Sequence, residues 1–260
     1  MKKIVKKMAE RLGYEIRKKG PAALGYELEE EARAFFPRVL PYTMLSPQRL
    51  ITLYQQAAHC EQNGLPGVFV ECGVWKGGSV ALMALANLNH GKARRHIHLF
   101  DAFTQICEPD AAVDGERALR ETKQLSPGAG TSGKLTPLSG FYDSMGGPGT
   151  LEGNKDLLEK RIGYDPKFSH YHKGWFQDTL PKDAPSMGEI ALLRLDGDWY
   201  ASTKICLEFL YDKVIKGGFV IIDDYGTYEG CRKAVDEFRQ ARKIPDFLNH
   251  IDETGRYWIK

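Results

Sequence analysis

From residue 66 onward, short apolar runs alternate with helical stretches along the chain. Each run has the length of one buried strand and ends near a glycine or an aspartate. Apolar runs separated by helices predict parallel strands in a sheet that is covered on both faces. The predicted strands are residues 68–72, 97–100, 168–172, 190–195 and 219–222.

The segments around these strands complete the predicted fold. Residues 81–87 and 229–242 have the pattern of crossover helices, and Ser46 can cap a helix that Pro47 opens. The last twelve residues are strand-like on either side of Thr254-Gly255, which predicts an antiparallel hairpin at the sheet edge. We therefore predict an α/β, doubly wound, mostly parallel sheet with an antiparallel C-terminal hairpin and added N-terminal helices.

The chain divides into two predicted regions. Residues 1–40 form a helical extension, and residues 41–260 form one domain with a Gly-rich insertion at 104–166. Long loops of this kind are usually functional or disordered, so the insertion is either a lid over the substrate or a mobile segment without a role. We favour the lid.

Composition limits the class of protein. The chain has 260 residues, 42% of them hydrophobic, and a net charge of +2, which does not indicate a nucleic-acid partner. Five cysteines without a zinc or disulfide spacing indicate a reducing compartment. There is no signal-peptide pattern and no apolar run of spanning length. A cytoplasmic protein is expected.

The first glycine turn has the features of a cofactor site. In VFVECGVWKGGSV, Glu71 ends a strand and can hold an ammonium group, Gly73 allows a close backbone approach, and Ser79 lies at a helix N-terminus. Asp101 ends the next strand and can accept bonds from ribose hydroxyls. The glycines are too widely spaced for a pyrophosphate. An amino acid joined to a nucleoside, which is S-adenosylmethionine, fits between Glu71 and Asp101.

Carboxylates follow two strands that should be neighbours. Asp196 and the pair Asp223-Asp224 converge, and carboxylates without a compensating cation favour a hard divalent ion, Mg²⁺ before Zn²⁺. Such an ion would orient a diol and acidify the hydroxyl to be methylated. Asp198 lies two residues further on and could take the place of Asp196 in this group. Asp196 is the first choice for the general base. Otherwise these carboxylates cap the helix at residues 202–203.

Six motifs together resemble the macrocin O-methyltransferase family, whose members methylate sugar hydroxyls on macrolide and aminocoumarin antibiotics. They are YTMLSPQRL (42–50), PGVFVECGVWKGGSV (66–80), FDAF (100–103), HKGWFQDTLP (172–181), LLRLDGDWYAST (192–203) and GGFVIIDDY (217–225).

The resemblance implies a Rossmann-like sheet and an enzyme that uses S-adenosylmethionine and Mg²⁺ to methylate a sugar-containing acceptor. It implies metal ligation by Asp196, Asp223 and Asp224, with Asp196 also acting as base. It further implies that Thr43 and Met44 line the cofactor site and that Gly174, Trp175 and Phe176 approach the adenine. Related enzymes suggest a homo-oligomer.

One departure from the family pattern concerns the acceptor. Family members often have D-S-F-E-G where this chain has Asp101-Ala102-Phe103-Thr104-Gln105, followed by the insertion. Trp199 stands where catechol-type enzymes keep a lysine. Two alternatives to a sugar methyltransferase stay open: a catechol-type O-methyltransferase, and a non-catalytic adenosyl-binding or membrane-tethered scaffold.

Residues 1–19 contain apolar residues at helical spacing with basic residues between them. Residues 1–20 contain eight lysines and arginines in total but only two glutamates. This predicts either a peripheral contact with anionic lipid at the inner face of the membrane or a helix docked on the domain. If it contacts lipid, deleting residues 1–19 reduces co-sedimentation with anionic liposomes. Unchanged binding would discard the lipid contact.

Overall fold

The computed structural model describes residues 27–260, which form a mixed sheet with helices on both faces. The predicted basic helix at residues 1–19 lies outside the described residues. The sheet has seven strands in the order β3-β2-β1-β4-β5-β7-β6. The strands are β1 Val68–Cys72, β2 Ile97–Asp101, β3 Ser169–Lys173, β4 Ile190–Leu195, β5 Val214–Ile222, β6 Asn249–His250 and β7 Arg256–Ile259.

The first five strands are parallel, and β7 pairs antiparallel with β5 and with β6. The predicted fold class is therefore confirmed, including the C-terminal hairpin. β5 begins five residues before the predicted run because Val214 also pairs with Ile190 of β4. The register between β4 and β5 shifts after this pair. The first half of β5 was not predicted because Lys216 and two glycines interrupt its apolar pattern.

Helices connect the strands and cover the sheet. They are α1 Glu27–Val39, α2 Pro47–Gln62, α3 Gly78–His90, α4 Gly115–Leu125, α5 Leu151–Lys155, α6 Phe176–Asp183, α7 Tyr200–Leu210 and α8 Glu229–Ala241. α2 begins as predicted, because the Ser46 side chain accepts a hydrogen bond from the backbone N–H of Arg49 and Pro47 occupies the first turn. In the part of the chain described, no helix is both long and apolar enough to traverse a bilayer.

The core lies in two layers, one on each face of the sheet. One layer packs α2 and α3 against β1 and β4, and includes Leu50, Tyr54 and Met83. The other lies under α6, α7 and α8, and includes Trp199 and Trp258. Because helices bury both faces of the parallel strands, only the strand ends and the loops after them can carry chemistry.

The insertion between β2 and β3 is mostly irregular, as its composition predicts. It contains α4 and α5, and α5 continues in wider π-type turns over Asp156–Ile162. Residues 126–150 hold one short 3-10 turn at Asp143–Met145. The insertion lies at the carboxyl ends of the strands, where it contacts the glycine turn after β1: Nε1 of Trp75 donates to the carbonyl of Gly147 at 3.2 Å.

Candidate active site

Two adjoining cavities open at the carboxyl ends of the parallel strands. The larger has a volume of about 360 Å³ and the smaller about 70 Å³. They share the lining residues Gly73, Trp75, Asp101, Tyr142, Asp196 and Asp198. Ligands of open α/β sheets bind at this end of the strands, so the two cavities mark the candidate active site.

Eight of the nine residues predicted to bind the cofactor line these cavities. Thr43, Met44 and Ser79 line the larger one, Gly174, Trp175 and Phe176 line the smaller one, and Gly73 and Asp101 line both. The structure thus brings together segments that are far apart in the sequence.

The ninth residue, Glu71, lies away from both cavities and contacts other side chains of the protein. Its side chain is fully buried and lines neither cavity. It accepts hydrogen bonds from Oγ of Ser79, at 2.6 Å, and from the guanidinium of Arg194. Burial raises the pKa of Glu71 to about 7, although Arg194 opposes this shift. Glu71 is therefore paired with a guanidinium inside the protein.

Asp101 holds the glycine turn as well as facing both cavities. Its Oδ2 accepts from the backbone N–H groups of Val74, at 2.6 Å, and Trp75, at 3.2 Å, and its Oδ1 accepts from Phe103 at 2.5 Å. Burial raises its pKa, while these backbone bonds favour the ionised form. One acceptor position of Oδ1 is left for a ligand.

Gly73 is required for a reason that the sequence did not indicate. Its φ is +85°, and a Cβ at this position would lie 1.8 Å from the backbone carbonyl oxygen of Asp196. The close approach that demands glycine is therefore with the neighbouring chain segment after β4. The backbone N–H of Asp196 also donates to the carbonyl of Cys72 at 2.8 Å, which fixes the position of Asp196 beside the turn.

Three carboxylates converge at the larger cavity. Asp196, Asp198 and Asp224 each offer an oxygen, and these oxygens lie within 4.8 Å of one another. Burial raises the pKa values of Asp198 and Asp224 well above the usual range, and the neighbouring carboxylates raise them further. Oδ2 of Asp224 is buried and has no hydrogen-bond partner in residues 27–260. A divalent cation with oxygen ligands fits this arrangement, because it would satisfy that oxygen and relieve the repulsion.

Asp223 lies outside this group of three carboxylates. Its Oδ1 accepts from Nη2 of Arg194, and its Oδ2 from Nη1 of Arg49, both at 2.5 Å. The predicted ligands Asp196 and Asp224 do lie together, but the third carboxylate is Asp198. Consecutive residues at a strand end point to opposite sides, so Asp223 and Asp224 face different partners.

Sequence reasoning missed two cations beside these carboxylates. Arg194 lies two residues before Asp196 in β4 and is almost fully buried; besides Glu71 and Asp223 it contacts Oδ2 of Asp196 at 3.0 Å. Arg49 of α2 adds a second charge. The assumption that no compensating cation is near was therefore wrong. A charged residue inside the apolar run of β4 was the available signal.

Comparisons with known proteins identify the family of this chain. The TylF (macrocin-O-methyltransferase) family model matches residues 3–127 and 158–260. The chain belongs to the macrocin O-methyltransferase family. As a member of this family, it is an S-adenosylmethionine-dependent O-methyltransferase. The family match omits residues 128–157, which fall in the insertion.

Two relatives of this chain are named as O-methyltransferases. The demethyldecarbamoylnovobiocin O-methyltransferase of Streptomyces niveus is 36% identical over 220 residues, 84% of this chain and 75% of that protein. The mycinamicin III 3''-O-methyltransferase of Micromonospora griseorubida is 32% identical over 236 residues, 88% of this chain and 83% of that protein.

Solved structures show the same fold. The O-methyltransferase NovP superposes with a TM-score of 0.68 at 31% identity, covering 84% of this chain and 82% of its own. The calicheamicin methyltransferase CalS11 has a TM-score of 0.53 at 18% identity and covers 92% and 94%. At that identity CalS11 supports only the fold.

Replacing Arg194 tests its role in stability. In Arg194→Met, Glu71 and Asp223 lose their buried cation, so we expect the free energy of unfolding in urea to fall by about 3–5 kcal/mol. The matched control is Arg242→Met, which removes an exposed pair with Asp212 and should cost less than about 1 kcal/mol. Equal losses in the two variants would contradict the assigned role.

Proposed function

We propose that this enzyme is a Mg²⁺-dependent methyltransferase that transfers the methyl group of S-adenosylmethionine to a sugar hydroxyl of a glycoside or surface glycan. The observation that carries the proposal is the group of Asp196, Asp198 and Asp224 beside a cavity that adjoins the predicted cofactor residues. Three relatives named as antibiotic O-methyltransferases support it, and one of their names specifies a rhamnosyl substrate.

In this proposal the adenine end of the cofactor lies at the smaller cavity, and the rest of the cofactor extends into the larger one. Trp175 and Phe176 offer aromatic faces to the adenine, and the free acceptor position of Asp101 receives a ribose hydroxyl. The methionine part extends toward Gly73 and Ser79, where the N-terminus of α3 begins. The methionine part thus enters the larger cavity, where the acceptor would meet its methyl group beside Asp196.

Asp196, Asp198 and Asp224 would hold the magnesium ion. When bound, the ion would polarise the acceptor hydroxyl and lower its pKa. Asp223 would not bind the ion in this proposal. It stays paired with Arg49 and Arg194, which holds these side chains in position beside the site.

Asp196 is the proposed general base. One of its oxygens accepts from Arg194 at 3.0 Å, which holds the carboxylate in place and leaves the other oxygen for the acceptor. As the hydroxyl oxygen attacks the methyl carbon, the C–O bond forms, the carbon–sulfur bond breaks, and the sulfonium becomes a neutral thioether. The hydroxyl proton passes to Asp196. Alignment supplies most of the remaining rate enhancement.

A catechol-type acceptor is the competing substrate class. Trp199 occupies the position at which catechol-type enzymes have a lysine. Its ring is buried, and its Nε1 donates to the carbonyl of Cys107 at 2.9 Å. Trp199 cannot take the role of a base. This supports a base drawn from the carboxylates, and it favours the sugar hydroxyl.

Self-association and the cytoplasmic location stay predictions of the sequence.

The acceptor class is tested by mass spectrometry with isotopically labelled S-adenosylmethionine. Wild-type protein is incubated with methyl α-L-rhamnopyranoside, other methyl glycosides, a bacterial glycolipid extract and a simple catechol. We expect labelled methyl groups on at least one sugar and slower methylation of the catechol. A catechol that outcompetes every sugar would favour the rival class, and cofactor binding without any turnover would favour the scaffold.

The metal site is tested by titrating Mg²⁺ calorimetrically into single variants. Asp198→Asn and Asp224→Asn should weaken Mg²⁺ binding at least about tenfold, and Asp196→Ala should slow methylation by about 10²-fold or more. EDTA should abolish activity while binding of S-adenosylhomocysteine persists.

Two further variants serve as comparisons for this titration. Asp212→Asn, at an exposed carboxylate, should leave Mg²⁺ affinity unchanged. Asp223→Asn should mainly lower stability, because it breaks the contacts with Arg49 and Arg194. Loss of Mg²⁺ affinity in Asp223→Asn but not in Asp198→Asn would restore the ligand set predicted from the sequence.

A further inference from the structure

An ion pair from the insertion lines the larger cavity. Arg117 and Glu121 lie four residues apart on α4, and both side chains face this cavity. Nε of Arg117 donates to Oε1 of Glu121 at 2.9 Å. Neither residue was singled out by the sequence motifs, and neither belongs to the carboxylate group described above.

Tyr228 connects this pair to the segment after β5, which also lines the cavity. Its hydroxyl donates to Oε2 of Glu121 at 2.7 Å, and the guanidinium carbon of Arg117 lies 5.7 Å from the centre of its ring. The backbone N–H of Tyr228 donates to the carbonyl of Asp224, and its ring packs edge-on against Trp199 at 5.0 Å. The pair is thus held in a fixed position relative to Asp224.

The pair keeps hydrogen-bonding capacity for a ligand. Across residues 27–260, the Nη atoms of Arg117 have no hydrogen-bond partner, and each oxygen of Glu121 accepts a single bond. The guanidinium therefore offers donors, and the adjacent carboxylate offers acceptors. A hydroxyl is both donor and acceptor, so two hydroxyls on neighbouring carbons match this pair.

The other walls of the larger cavity suit the apolar faces of a sugar ring. Tyr42, Phe141 and Tyr142 contribute aromatic rings, and Met44 and Met145 contribute flexible apolar side chains. Its volume of about 360 Å³ lies within the range of small-molecule sites.

We infer that Arg117 and Glu121 form an acceptor-recognition pair, which binds a vicinal diol of the sugar whose neighbouring hydroxyl receives the methyl group. This inference rests on the proposed function and deepens it. It makes the two residues determinants of specificity, while the carboxylate group of Asp196, Asp198 and Asp224 serves the transfer itself.

The test compares kinetics of Arg117→Met with those of wild type. The acceptor is the methyl glycoside that wild type methylates best, together with its monodeoxy analogues. We expect the acceptor KM to rise at least tenfold in Arg117→Met, with the KM for S-adenosylmethionine and the Kd for S-adenosylhomocysteine within twofold of wild type. Wild type should discriminate against one deoxy analogue, and Arg117→Met should lose that discrimination.

Two comparison variants separate recognition from a structural role. Arg33→Met removes a similar Arg–Glu pair on α1, with Glu29 four residues before it, and should leave all constants unchanged. Glu121→Gln keeps the shape but removes the charge, and should show a weaker form of the Arg117→Met effect.

The outcomes distinguish this inference from the proposed function. An acceptor KM within twofold of wild type in Arg117→Met, or equal losses for the parent glycoside and every deoxy analogue, would overturn the inference alone. A parallel loss of S-adenosylhomocysteine affinity would overturn it too, because the defect would then be structural. If wild type methylates no glycoside, the proposed function fails and the inference fails with it.

Discussion

The buried guanidinium of Arg194 is the interaction on which the rest of the site depends. It contacts carboxylates from the ends of three adjacent strands: Glu71 of β1, Asp196 after β4 and Asp223 after β5. Removing ionised carboxylates from water is costly unless a partner of opposite charge is close. Arg194 is that partner, so the acidic end of the sheet can be both buried and ordered.

Arg194 does not neutralise the site completely. Asp198 and Asp224 contact no arginine among the described residues, and the pKa of each is raised by burial and by the other carboxylates. Burial and the neighbouring carboxylates therefore favour the protonated forms of these two groups. A cation bound there would compete with protons, so its affinity should depend on pH.

The sequence predicted the fold well because apolar periodicity determines strands and their order follows from simple connection rules. β1 and β4 have their predicted bounds, and the hairpin at β6 and β7 was recognisable from its turn. The site was harder to predict. The sequence showed that acidic residues follow the strands. It did not show which of these carboxylates lie together, because that depends on the direction of each side chain and on a buried cation. Arg194, which pairs with Asp223, was overlooked for this reason.

The insertion has a further consequence because of where it enters the fold. It leaves after β2 and returns at β3, which is the last strand of the sheet on that side. Its residues form part of the wall of the larger cavity, yet the insertion contributes no strand to the sheet. Grafting this segment between homologues would therefore leave the order of the strands intact, provided that its contacts with Trp75, Trp199 and Tyr228 are kept, and would give protein engineers glycosylated products with altered methylation patterns.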